Sequence, residues 1–145
     1  MRIPALILGA AAVVAFAAPA HAGPPKTVKM LNKGAAGMMV FEPALVRVKP
    51  GESVTFTPTD MGHDAESIPG MVPAGAQPFK GAMNKPITVT FTKPGVYGFK
   101  CTPHLGMGMV GVVVVGNPTN LAQAKTVTLP GKAKTVMSGL LASVN

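Results

Sequence analysis

Nine consecutive positions, Cys101-Thr-Pro-His104-Leu-Gly-Met107-Gly-Met109, hold the chain's single cysteine, one of its three histidines and two of its ten methionines. His63 lies far upstream, after Asp60-Met-Gly62. A thiol, two imidazoles and a thioether make a donor set suited to copper. Thiolate and thioether favour Cu(I), imidazole accepts both oxidation states, and a weak axial methionine leaves a trigonal His2Cys plane. Zinc is served less well, with one thiolate, no Cys-x-x-Cys pair and a thioether that it does not favour. A Cys/His nucleophile pair is the enzymatic alternative. Cys101 and His104 come from one tight loop, however, and no oxyanion or substrate feature accompanies them. A lone cysteine is most often a small buried hydrophobe, a reading outweighed here by the joint Cys, His and Met pattern.

The amino terminus reads as a targeting segment. Arg2 gives a positive start, residues 3–18 form an apolar run without charge, and Ala20-His21-Ala22 fits a small-x-small cleavage pattern. The run is short for a bilayer span, so a cleaved signal peptide over residues 1–22 is expected rather than a membrane anchor. Residues 23–145 would then form one exported domain, with His63 and His104 as its only histidines. A single cysteine cannot form an internal disulfide, which leaves a reactive or metal-bound thiol. Without Arg2 the charge balance is 12 basic against 5 acidic residues, a formal +7. Such a surface should meet acidic partners. Nucleic acid is excluded as a partner because the basic residues are scattered and aromatics are few.

The elements that must position these donors are short and β-rich. Strands are predicted over 27–31, 45–48, 53–57, 87–91, 96–100 and 110–115, several alternating apolar with polar residues. Lys49-Pro-Gly-Glu and Lys93-Pro-Gly-Val supply turns between strands. This spacing indicates an all-β protein built as a β-sandwich. Residues 60–83, with several Pro and Gly and little periodicity, are expected to form a long ordered loop. In the tail, Thr119 or Asn120 should cap a short helix through Ala124. A second helix is expected over 132–144, with Val136, Met137, Leu140, Leu141 and Val144 on one stripe packing against the sandwich.

Cys-Thr-Pro-His-x-x-Met-Gly-Met, together with Gly62-His63 and Met39-Val-Phe-Glu-Pro43, resembles the pseudoazurins, cupredoxins of the bacterial periplasm. The likeness extends over nearly all of the chain past residue 22, including the helical tail. It implies a cupredoxin Greek-key β-sandwich with C-terminal helices. It also implies one type 1 copper held by His63, Cys101, His104 and Met109, and single-electron transfer without catalysis. Met107 follows His104 at the spacing of the amicyanin loop, so an amicyanin-like carrier serving an amine dehydrogenase is the nearest rival, and copper storage or delivery is another. The resemblance also places a backbone carbonyl from the Met39–Val40 neighbourhood behind His63. It puts Asp64 where cupredoxins commonly carry the Asn that ties the two ligand loops together, and the extra charge is expected to favour Cu(II). His104 would emerge in an apolar patch of Met39, Pro103, Leu105 and Met107, ringed by Lys33, Lys80 and Lys100. The partners implied are periplasmic redox proteins with acidic docking surfaces, such as copper nitrite reductase or cytochromes, met by a monomer.

Overall fold

The computed structural model describes residues 23–144; the expected signal peptide over 1–22 lies outside them. Eight strands, β1 (Lys26–Gly34), β2 (Gly37–Glu42), β3 (Leu45–Val48), β4 (Glu52–Pro58), β5 (Glu66–Ser67), β6 (Ile87–Phe91), β7 (Gly95–Lys100) and β8 (Val110–Val115), precede two helices, α1 (Leu121–Thr126) and α2 (Lys132–Ala142). The strands form two four-stranded sheets in the orders β2-β1-β4-β6 and β3-β8-β7-β5. β1 runs parallel to β4 and β3 parallel to β8, while the other pairings are antiparallel.

Alternation along the first sheet follows from burial of one face. Val28 and Met30 on β1 and Val54 and Phe56 on β4 point into the sandwich, where they meet Phe99, Val113 and Val115 of the second sheet. Phe99 packs edge-on against both Phe41 and Phe56, at centroid distances of 4.8 and 4.9 Å, a preferred aromatic geometry. The second sheet is covered on both faces. Val96, Val110, Val112 and Val114 turn away from the first core and pack against Leu129, Ala133, Met137 and Leu141. All six residues of β8 are therefore buried, and the strand reads Val-Gly-Val-Val-Val-Val without alternation, as strands covered on both faces do. The expected helical stripe lies against this face: Met137, Leu141 and Val144 are buried, with Val136 and Leu140 half-buried beside them.

All six predicted strands are present. The predicted picture lacked β2, whose Gly-Met-Met-Val-Phe-Glu shows no clean alternation because only Phe41 in it is fully buried. The segment 60–83 is also more ordered than a loop. It folds back on itself through β5 and a ladder in which Ser67 N–H donates to Phe79 O, Gly81 N–H to Ala65 O and Asn84 N–H to His63 O, at 2.8–2.9 Å. Few side chains along it repeat with period 2, so this ladder leaves little trace in the sequence.

α1 begins after Asn120 as expected, but the Asn120 side chain makes no capping bond. It is buried and points to β7 instead, where Oδ1 accepts from Val96 N–H at 2.6 Å and Nδ2 donates to Val96 O at 2.9 Å. One amide thus replaces a neighbouring strand at the edge of the α1 junction. Asn120→Ala would leave a buried N–H and a buried C=O without partners, a loss of about 1–3 kcal/mol for each. The variant should unfold at clearly lower denaturant concentration with an unchanged m-value, measured by equilibrium urea titration.

Candidate metal centre

The donors converge at one end of the sandwich, from two segments. β4 ends at Pro58, and the turn that follows is fastened to β1, with Asn32 N–H donating to Asp60 Oδ2 at 2.7 Å and Asp60 N–H donating to Met30 O at 3.2 Å. Gly62 then takes a positive φ of 91°, a conformation natural to glycine. Asn84 grips the turn from the far side, accepting from Gly62 N–H through Oδ1 at 2.5 Å and donating its own N–H to His63 O at 2.8 Å. His63 is thereby held fully buried. The other three donors follow β7. Cys101 is fully buried, Leu105–Met107 form a 3-10 turn, and Cys101 N–H donates to Met109 O at 3.0 Å, which closes the loop on itself.

Cys101 Sγ lies 3.6 Å from His63 Nδ1 and 3.5 Å from His104 Nδ1. The three donor atoms fall within 4.8 Å of one another. Imidazole nitrogen and thiolate sulfur at roughly 2.0 and 2.3 Å from a shared ion would stand about 3.5 Å apart at near-tetrahedral angles, so the spacing fits a common metal. Met109 is fully buried in the same core cluster as Cys101, whereas Met107 is 47% exposed.

The tautomer of His63 is set by a side chain. His63 Nε2 lies 2.9 Å from Asn32 Oδ1, an oxygen that can only accept. Nε2 therefore carries the proton and Nδ1 presents its lone pair toward Cys101. This corrects the expected backbone carbonyl from the Met39–Val40 neighbourhood. Met39, half-buried, packs instead against the core cluster that contains Cys101 and Met109. Asn32 follows Val28 and Met30 at period 2 on β1, so a polar residue ending an apolar row was the signal for it. Asn84 left no comparable signal.

Asp64 is buried, and its Oδ1 accepts from Thr102 N–H at 2.6 Å. A carboxylate accepts as an Asn oxygen would, so the tie between the two ligand loops survives the departure from Asn. Beyond it, Thr102 Oγ1 donates to Glu66 Oε2 at 3.1 Å, and Lys80 and Lys100 approach Glu66 at 3.8 and 3.9 Å. Of the expected lysine ring, Lys33 is exposed beside Asn32, while Lys80 and Lys100 share one acidic partner and Lys100 is only partly exposed. Pro103 and Met107 are exposed and Leu105 is half-buried around a partly exposed His104. Leu105 also belongs to the core beneath the helices.

α2 braces the ligand loop. Gly108 has φ 91°, and a side chain there would meet Lys132 and Val136 at 3.1 Å. At Gly131, φ is 54° and a Cβ would stand 2.5 Å from Gly106 O, closer than real contacts allow.

Burial pushes the Cys101 thiol up to about 11, against backbone hydrogen bonds from Asp64 and His104 that lower it. Burial, with His104 nearby, lowers His63, which is neutral at pH 7. In the metal-free protein the thiol is therefore protonated at neutral pH, and a metal must displace its proton. Apparent copper affinity should rise about tenfold per pH unit between pH 7 and 9, measured by competition with a chelator of known pH dependence. A flat profile would contradict a protonated thiol.

Residues 28–116 match the family model of copper binding proteins, plastocyanin/azurin family. The chain is 52% identical over 141 residues to pseudoazurin of Paracoccus pantotrophus, covering 97% of each. It is 53% identical over 125 residues to pseudoazurin of Methylorubrum extorquens, covering 85% of this chain and 84% of that one. The crystal structure of pseudoazurin from Methylobacterium extorquens AM1 superposes with a TM-score of 0.81 at 50% identity, over 84% of this chain and all of that one. An amicyanin variant in the Cu(I) form gives 0.52 at 30% identity, over 70% and 90%. His63, Cys101, His104 and Met109 form a type 1 copper-like site. On this combination of site and likeness, the chain belongs to the copper-binding plastocyanin/azurin family and, within it, to the pseudoazurins.

Proposed function

We propose that this protein is a periplasmic carrier of single electrons and not an enzyme. The observation that carries the reading is the convergence of His63 Nδ1, Cys101 Sγ and His104 Nδ1 with Met109 buried beside them. Copper bound by such donors supplies a one-electron couple between Cu(II) and Cu(I). The protein's part is to hold the donors still: Asn32 fixes the His63 ring, Asn84 fixes its loop, and α2 braces the Cys101–Met109 loop. Met109 would supply the thioether to a bound copper, because its side chain is fully buried beside Cys101 while Met107 is exposed.

Of the two described imidazoles His104 is the partly exposed one, set among Pro103, Leu105 and Met107, and it provides the electron's exit. Residues 1–22 act as a removed signal peptide. The remaining formal charge of +7 favours acidic redox partners, copper nitrite reductase or cytochromes, in brief encounters of a monomer. The amicyanin-like alternative is disfavoured by the lower superposition and by the exposure of Met107.

The copper-loaded protein should show an intense blue absorption from its copper–thiolate bond. Met109→Ala should alter that band and raise or destabilise the copper couple, while Met107→Leu leaves the spectrum intact; the opposite pattern would reassign the axial ligand. Electron-transfer rates with an acidic partner should fall steeply between low and physiological ionic strength, read by stopped flow, and salt-independent rates would defeat the steering argument.

Asp64 places a carboxylate against the Thr102 amide beside the ligand loop. Its negative charge favours the more oxidised ion. Asp64→Asn keeps an accepting oxygen and removes the charge, so the reduction potential should rise by an amount on the order of 1 kcal/mol, roughly 40 mV for one electron. Protein-film voltammetry of the two forms measures this, and an equal or lower potential in the variant would refute it.

A further inference from the structure

Two carboxylates meet at Thr102, the residue that follows Cys101. Asp64 Oδ1 takes its N–H at 2.6 Å, and Glu66 Oε2 takes its hydroxyl at 3.1 Å. The same Oε2 lies 3.9 Å from Lys100 Nζ, and Glu66 faces Lys100 in the β5–β7 ladder. One side chain thus reaches the residues on both sides of Cys101.

Glu66 is itself well placed to hold them. Its backbone pairs with Lys100 on one flank and with Lys80 on the other, and Lys80 Nζ stands 3.8 Å from Oε1. The Glu66 side chain is 23% exposed and that of Lys100 20%, whereas that of Lys80 is 75% exposed. A pair as open to water as the one with Lys80 contributes little, so the hold that counts is on Lys100 and Thr102.

Cys101 gives its N–H to Met109 O and directs its sulfur between His63 and His104. The backbone on either side of a ligand aims its side chain, and groups that fix that backbone fix the ligand. We propose that Glu66 is a positioning residue for electron transfer, which fixes the direction of the Cys101 sulfur by holding Lys100 and Thr102 together. Glu66 acts through these two neighbours and not on a donor atom. The inference rests on the copper-carrier reading and adds to it a second hold on the sulfur ligand, through a side chain where Asp64 uses the backbone.

Glu66→Ala removes the carboxylate, and Glu66→Gln removes only its charge. The two variants carry equal charge and differ in whether the Thr102 hydroxyl has a partner. In metal-free protein, hydrogen exchange at Cys101 N–H should run roughly threefold to tenfold faster in Glu66→Ala than in Glu66→Gln, the contribution of one such bond. In copper-loaded protein, Glu66→Ala should shift the copper–sulfur bands seen by resonance Raman. It should also slow electron self-exchange relative to Glu66→Gln by a similar factor. Thr102→Val should reproduce the band shift and Thr102→Ser should not, while Glu66→Ala combined with Thr102→Val should go no further than either alone. With Glu66 left in place, the Thr102 pair decides the matter even where Glu66→Ala does not fold. Equal exchange, bands and rates in Glu66→Ala and Glu66→Gln, or a Thr102→Val no different from Thr102→Ser, would overturn the proposal. A parent protein that binds copper without turning blue would refute the carrier reading, while the metal-free exchange still decides whether Glu66 holds Cys101.

Discussion

The hydrogen bond from Thr102 N–H to Asp64 Oδ1 joins the two stretches of chain that must meet before any metal can be held in common. His63 belongs to the turn after β4 in one sheet, and Cys101 to the end of β7 in the other. Nothing local to either stretch brings them together. Closure of the sandwich places the strand ends side by side, and this bond sets the final register between the loops. A bond to a carboxylate is stronger than one to a neutral amide, and Asp64 is buried, where an unmade bond would be costly. The Cys101 sulfur, drawn within 3.6 Å of both Nδ1 atoms, is a consequence of that closure.

Around this tie, polar side chains do the work that strands do elsewhere. Asn84 secures the His63 turn through its side-chain Oδ1 and its backbone N–H, Asn32 selects the ring tautomer, and Asn120 satisfies the free edge of β7 at Val96. Each amide offers both donor and acceptor, which lets one residue satisfy irregular backbone where a ladder cannot reach. Glu66, with Lys80, Lys100 and Thr102 about it, plays a similar part on the outside of the same junction. Lys80 and Lys100 are consequently gathered on one carboxylate rather than standing as a free ring of lysines.

Much of the fold was legible because burial on one face imposes alternation, as in Val28, Met30, Val54 and Phe56. β8 was legible for the opposite reason, since six consecutive buried residues leave an unbroken apolar run. β2 and β5 were not, the first burying only Phe41 fully and the second being two residues long. At the site, Cys101, His104 and His63 stood out because the chain has so few residues of those types. Asn32 and Asn84 did not: a polar residue closing the Val28–Met30 row is a faint sign for the first, the second has none, and only contacts in space reveal that they serve His63 and its loop. Spacing alone did not separate Met107 from Met109; the fold buries the second and leaves the first exposed.

The helical tail gains its meaning from what lies beneath it. A loop bearing three of the four donors needs support on its outer side if its shape is to persist when the charge of its ion changes. Gly108 lies under Lys132 and Val136, and Gly131 lies against Gly106 O. Leu105 of the same loop enters the core that α2 shares with β8. The loop is thus held by the sandwich through Cys101 and Met109 and by α2 through Leu105 and the two glycines. Interiors packed to this density yield little to a change of one charge, so donors fixed on two sides suit either oxidation state with little movement. A carrier that must gain and lose electrons quickly requires that rigidity, and here the second sheet supplies it by burying both of its faces.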